Sequence, residues 1–222
     1  MCGEQVLDLD PFLTIRYRLP SSSFRTLLVE QDVKKFAPSQ WKIEDSLDLY
    51  QVPKWGQGYF SINEAGRVVV RPDSQPEHEI DLLEVVQGLH ARDLTTPVVV
   101  RFSDILKHRL GRLHKAFARA IEENDYKNRY CAVFPIKVNQ QRLVVEEVYR
   151  YGAEFGFGLE AGSKPELLAV MAMTEGSPDR MIVCNGFKDD SYIEAVTLAT
   201  KLGRTIIPVV ENFDELALIL KH

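Results

Sequence analysis

Cysteine is scarce in this sequence. Three residues in 222 (Cys2, Cys131 and Cys184) form an odd number at wide spacing, which fits neither a disulfide framework nor a zinc signature. No apolar run approaches the length that spans a bilayer. The first residues, Met1-Cys2-Gly3-Glu4-Gln5, lack the positive region and apolar core of a signal peptide. A basic stripe is lacking too: 27 Lys and Arg stand against 32 Asp and Glu, for a net charge of −5, whereas a nucleic-acid surface needs the opposite balance. Lys34-Lys35 and the basic residues of 107–119 are interspersed with apolar ones, as on a solvated helix face. These absences leave a cytoplasmic protein as the default expectation, with neither nucleic acid nor membrane as partner.

What is present is ordinary globular material, 45% hydrophobic and 27% charged, enough for a real core. The length suits one large domain or two small ones. Residues 1–38 show no sustained period. Phe12-Leu13 and Leu27-Leu28-Val29 are separated by Pro11, Pro20 and Ser21-Ser22-Ser23, so this segment reads as an extension whose order the sequence does not define. Residues 39–97 read as a helix/hairpin/helix segment. Its first helix runs from Ser39 through Trp41, Leu47 and Leu49 and stops before Pro53. A hairpin of 59–62 and 68–70 follows, around Asn63-Glu64-Ala65-Gly66. Ile80, Leu82, Leu83, Val86 and Leu89 then recur at helical spacing to about Arg92.

Beyond Pro97 a strand at 98–100 leads to Ser103, which can cap a long helix through Glu123. Its apolar face would use Ile105, Leu106, Leu110, Leu113, Phe117 and Ala120. From residue 130 onwards strands and helices alternate. Strand-like 130–136, 157–159, 181–184 and 205–210 are followed by helix-like 142–151, 164–173, 190–202 and 213–221. That alternation means βα units and a parallel sheet. The strands are short continuous apolar runs, as when both faces are buried. The fold class is therefore α/β. Residues 98–222 read either as the first half of a (β/α)8 barrel, which by itself takes about 250 residues, or as an open doubly wound sheet. A half barrel would leave two sheet edges unpaired.

Gly156-Phe157-Gly158-Leu159-Glu160-Ala161 is a formal G-x-G-x-x-A match. A dinucleotide site requires those glycines on a loop between strand and helix. Here they fall in the apparent strand, which favours close packing instead. Ser163-Lys164-Pro165-Glu166 is a capping box. It sets Glu160, Ala161 and Gly162 between a strand end and a helix start, the edge where a βα barrel does its chemistry. A carboxylate there has two readings: a functional group, or the partner of a neighbouring cation. Lys137 ends the apolar run 131–136. Most such lysines reach for water; the alternative is Schiff-base chemistry, which needs the amine partly desolvated. Asn185-Gly186-Phe187-Lys188-Asp189-Asp190 reads first as a turn followed by a helix cap. His108 and His114 face different ways on one helix, and Cys131 and Cys184 read as small core residues of strands.

Five ordered motifs carry a resemblance. Trp41-Lys42-Ile43-Glu44-Asp45-Ser46-Leu47, Trp55-Gly56-Gln57-Gly58-Tyr59-Phe60-Ser61-Ile62-Asn63 and Val133-Phe134-Pro135-Ile136-Lys137-Val138-Asn139-Gln140 resemble the biosynthetic arginine decarboxylase family. So do Gly158-Leu159-Glu160-Ala161-Gly162-Ser163-Lys164-Pro165-Glu166-Leu167 and Ile182-Val183-Cys184-Asn185-Gly186-Phe187-Lys188-Asp189. The likeness runs from about Trp41 to the end of the sequence. It implies a barrel of the alanine-racemase type with a second, β-rich domain. It also implies pyridoxal 5'-phosphate as cofactor and conversion of L-arginine to agmatine and carbon dioxide on the way to putrescine and spermidine. By the same resemblance Lys137 forms the Schiff base with the cofactor, Glu160 lies beside it as an electrostatic or orienting group, and Asn139 helps shape the site. Magnesium is associated with the family, although no residue here identifies its site, and a homo-oligomer is implied for the full-length form.

Family members are roughly three times as long, one barrel plus a second domain of ordinary size. The ring-stacking histidine, the glycine-rich phosphate loop, the acid on the pyridine nitrogen and the cysteine and aspartate facing the substrate are missing from these 222 residues. The chain by itself is therefore expected to be a poorly folded, inactive fragment, an expectation that steady agmatine production by purified residues 1–222 would refute. Two alternatives stand beside this reading. One is a related barrel decarboxylase for another basic amino acid, such as ornithine or diaminopimelate, which would share the lysine and acidic motifs but not the Trp55-Gly56 and Asn63 region. The other is a non-catalytic relative or fragment that acts through protein–protein contacts.

Overall fold

The computed structural model describes residues 5–10, 13–17 and 41–222, in two compact units, Met1–Ile105 and Leu106–His222. In the first unit the elements are β1 (Gln5–Asp10), β2 (Leu13–Tyr17), α1 (Ile43–Leu49), α2 (Val52–Gly56), β3 (Phe60–Ile62), β4 (Val68–Val70), β5 (Ile80–Asp81), α3 (Leu82–His90) and β6 (Val98–Phe102). Pro53, expected to lie beyond a helix end, sits in the first turn of α2, where its missing N–H costs no hydrogen bond. The hairpin expected around Asn63 forms as β3 and β4, with Phe60 opposite Val70. Asn63 organises its turn: Oδ1 accepts the N–H groups of Ala65 (3.1 Å) and Arg67 (2.9 Å). Asp81 caps α3, its Oδ1 accepting Leu83 N–H at 2.8 Å.

The segment 1–38 contributes two strands. β1 pairs antiparallel with β2, and β2 with β6, Leu13 opposite Phe102 and Tyr17 opposite Val98. Leu-Asp-Leu-Asp and Leu-Thr-Ile-Arg-Tyr do alternate, but for too few residues to register as a period, and β6, which joins β2 in the sheet, lies far along the chain. The rest of 1–38, with Ser39 and Gln40 of the expected first helix, lies outside the described residues.

α4 (Ser103–Glu123) leads into the second unit. Its expected apolar face is half realised: Leu110 is buried, whereas Leu113 and Phe117 are each 44% exposed. Phe117 instead stacks on Tyr130, with ring centroids 3.9 Å apart. Then follow β7 (Val133–Pro135), α5 (Arg142–Tyr151), β8 (Gly158–Ala161), α6 (Lys164–Met173), β9 (Ile182–Cys184), α7 (Asp190–Lys201), β10 (Ile206–Pro208) and α8 (Phe213–Lys221).

The strands β7 to β10 form one parallel sheet whose spatial order is the chain order. A doubly wound sheet reverses direction at a switch point, and this sheet has none. Right-handed crossovers in one direction place successive helices on one face. The order is that of successive strands in the first part of a βα barrel. The core lies between sheet and helices, around Leu159, Leu167, Val170, Ile182 and Val196.

The glycine motif is a packing device. A Cβ on Gly158 would lie 2.0 Å from the Met181 carbonyl oxygen, inside the sheet, and Gly156 takes φ 69° at the end of the turn before the strand. Cys184 is a buried β9 residue, as expected, but Cys131 precedes β7 and is exposed, because the apolar run pairs only from Val133 onwards.

Candidate active site

The functional edge is the carboxyl end of the parallel strands. β7 finishes at Pro135, directly opposite Glu160 of β8. The next three residues, Ile136–Val138, make a single 3-10 turn. Ile136 anchors that turn in the core at 5% exposure, and the turn sets Lys137 over the sheet edge. Lys137 Nζ lies 3.8 Å from Glu160 Oε1; the lysine side chain is 58% exposed and that of the glutamate 2%. This is an ion-pair distance, too long for a direct hydrogen bond. The lysine is therefore partly covered and still reachable from solvent.

Glu160 is the group that needs explanation. Asn185, just past β9, donates from Nδ2 to the same Oε1 at 3.1 Å. The other oxygen, Oε2, is buried and has no hydrogen-bond partner, an uncommon state for a native polar atom. Asn139 plays a backbone role: its Oδ1 accepts Gln141 N–H at 3.1 Å and turns the chain into α5. Gln140 Nε2 donates to Glu166 Oε1 (2.8 Å), and Glu166 Oε2 accepts Gly162 N–H (2.6 Å). The expected capping box is thus present with a shift: Ser163 Oγ takes Glu166 N–H at 3.4 Å, while the glutamate reaches back one residue further. The result ties the loop carrying Lys137 to the loop carrying Gly162.

Space at this edge is kept by glycines. A Cβ on Gly162 would come within 3.7 Å of both Lys137 Cδ and Glu160 Oε1. Gly186, at φ 79°, lies against the Gly162 carbonyl so closely that a Cβ would sit 2.4 Å from its oxygen. Below them Tyr192 donates its hydroxyl to Ala161 O at 3.0 Å. Burial, followed by the neighbouring Cys184, pushes the Tyr192 hydroxyl far above the ordinary phenol range. Burial likewise raises the Cys184 thiol, the condition of an inert core cysteine rather than a nucleophile.

Two residues of this edge escaped the sequence reading. Lys188, in what reads as a turn, is buried with Glu215 of α8, Nζ to Oε2 3.2 Å. No local signal marks the pair, since its members are 27 residues apart. Asp189 does cap α7, as the turn reading expects, accepting Tyr192 N–H at 2.8 Å. Among the described residues no group of three or more His, Cys, Asp or Glu could hold a metal ion, and no helix is long and apolar enough to cross a membrane.

Sequential parallel βα units thus set a lysine and a buried glutamate side by side at the carboxyl edge of the sheet, the edge where βα barrels carry their chemistry. Residues 107–222 match the family described as pyridoxal-dependent decarboxylase, pyridoxal binding domain, and the chain belongs to this family. It is 51% identical over 181 residues to biosynthetic arginine decarboxylase of Gloeobacter violaceus, covering 82% of this chain and 28% of that protein. To the enzyme of the same name from Rhodopirellula baltica it is 50% identical over 182 residues, covering 82% and 27%. The crystal structure of biosynthetic arginine decarboxylase from Campylobacter jejuni superposes with a TM-score of 0.69 at 30% identity, over 78% of this chain and 28% of that one. The chain thus spans less than a third of the length of these relatives.

Proposed function

We propose that this chain forms the cofactor-anchoring part of an L-arginine decarboxylase, with Lys137 as the residue that holds pyridoxal phosphate. The observation that carries the reading is the juxtaposition of a solvent-reachable amine with a buried carboxylate that has one oxygen unsatisfied. These residues fit the cofactor: the amine suits its aldehyde, and Glu160 Oε2 is an acceptor without a donor. When bound, pyridoxal phosphate draws electrons from the substrate Cα as the carboxylate leaves as carbon dioxide. Lys137 Nζ is the atom that carries or releases a proton at this edge. Glu160 orients it from 3.8 Å, and Asn139 shapes the loop by holding Gln141 N–H. Gly162 leaves open the space beside the lysine stem.

Arginine, rather than another basic amino acid, is supported by the names of the relatives; the description of the family model specifies no substrate. Agmatine for polyamine synthesis, a cytoplasmic setting and assembly with further copies of the chain belong to the same reading. Magnesium enters no step of it. The test is substitution of Lys137 by Ala at the gene's own locus, with labelled L-arginine, ornithine and diaminopimelate supplied to extracts. Loss of labelled agmatine alone supports the proposal. Unchanged agmatine, or loss of carbon dioxide release from ornithine or diaminopimelate instead, contradicts it.

A further inference from the structure

Lys188 and Glu215 pair with each other, Lys137 with Glu160, and the Lys188 and Glu215 side chains are 0% and 1% exposed. Burying an ion pair is expensive, and apolar side chains of similar size usually hold two elements together at least as well. What distinguishes this pair is the backbone it fixes. Lys188 Nζ donates to the carbonyls of Gly186 (2.7 Å) and Val209 and to Glu215 Oε2 (3.2 Å), which uses all three of its hydrogens. Glu215 accepts Lys188 N–H at Oε1 and Glu211 N–H at Oε2, each at 2.9 Å. Glu211 in turn accepts Gly186 N–H at 2.6 Å. The Gly186 N–H and C=O are therefore both held, one by Glu211 and the other by Lys188.

The residue before Gly186 is Asn185, whose amide sets Glu160 Oε1, the oxygen that faces Lys137. On its other side Gly186 touches the Gly162 backbone. We infer that Lys188 and Glu215 are positioning residues: they fix the Asn185-Gly186 loop so that Asn185 holds the Glu160 carboxylate against Lys137. The inference rests on the reading of Lys137 as the cofactor lysine. It reaches that site in three steps: the pair holds Gly186, the chain joins Gly186 to Asn185 within the loop after β9, and the Asn185 amide contacts Glu160 of β8.

The experiment compares the unsubstituted protein, Asn185→Leu, the double variant Lys188→Met/Glu215→Leu and the triple combination. It reads pyridoxal phosphate affinity, the absorption spectrum of the bound cofactor, and melting temperature without cofactor. The double variant removes both charges together, so its melting temperature is expected to stay close to that of the unsubstituted protein. Cofactor affinity is expected to fall about tenfold, the loss of roughly one hydrogen bond to a charged group, with the same spectral change as in Asn185→Leu. The triple variant is expected to be no worse than Asn185→Leu, because all three residues act through one contact. Unchanged affinity and spectrum in the double variant, or additive losses in the triple, would overturn the inference. Glu211→Ala serves if the double variant does not fold: it frees Gly186 N–H while leaving the buried pair in place. It must show the same spectral change, and its absence overturns the inference equally. An unsubstituted protein with no Lys137-dependent cofactor spectrum would overturn the functional reading and this inference with it.

Discussion

Two lysines stand just past parallel strands, and their surroundings divide their roles. Lys137 follows an apolar run and is thrown out by a short turn beside Glu160; its position was legible because a strand end can be read locally. Lys188 follows Asn-Gly and looks solvated, yet it is fully buried, because its partner comes from a helix 27 residues later. Glu160 was legible as a position, but not its unsatisfied oxygen or its tie to Asn185, which depend on the neighbouring strand. Glu160→Gln keeps the size of the side chain and removes its charge. We expect it to fold and bind cofactor but to lower agmatine formation about tenfold or more, on the scale of losing one charged contact that orients Lys137; an assay of extracts with labelled arginine checks this. Gly186→Ala places a methyl against the Gly162 carbonyl at a positive φ. The expected loss is about 1–3 kcal/mol of stability, read by chemical denaturation.

At the scale of elements, the four helices of the βα units were legible almost to the residue because their caps are local, whereas the strands 130–136 and 205–210 are shorter than their apolar runs. The Ser163 cap of α6 and the Asp189 cap of α7 both form, while the Glu166 half of the expected box reaches Gly162 N–H. β1 and β2 were not legible, being short strands of which the second is joined to a strand distant in sequence, and the outer half of α4 carries apolar residues that its face does not bury. Asn212 caps α8, accepting Glu215 N–H at 3.0 Å; Asn212→Ala is expected to cost about 1 kcal/mol, measured by thermal or chemical melting. β8 is buried along its whole length, with β7 and β9 on its two sides. Gly158→Ala drives a Cβ into the Met181 carbonyl, and overpacking of this kind costs about 1–3 kcal/mol or more. A Gly158→Ala protein as stable as its parent would show that the close approach is not what selects glycine there.

For the whole molecule, two compact units are joined in sequence through α4, and the proposed site lies in the second. Its acid stability has a defined sign. Burial tends to raise the Glu215 carboxyl, but the N–H groups of Glu211 and Lys188 and the Lys188 ammonium outweigh it and hold it below the ordinary glutamate value. A folded-state value below the unfolded one contributes stability that is complete above the unfolded value and is lost as pH falls through the folded one. Melting temperature should therefore drop as pH descends past the ordinary glutamate range. Glu215→Gln should lie lower at neutral pH and show a shallower acid dependence. The central claim, that Lys137 holds the cofactor, is tested most directly by incubating the protein with pyridoxal phosphate, reducing with borohydride and mapping the labelled peptide. The account predicts one pyridoxyl group, on Lys137, absent from Lys137→Ala. Label spread over surface lysines, or unchanged incorporation in Lys137→Ala, would contradict it.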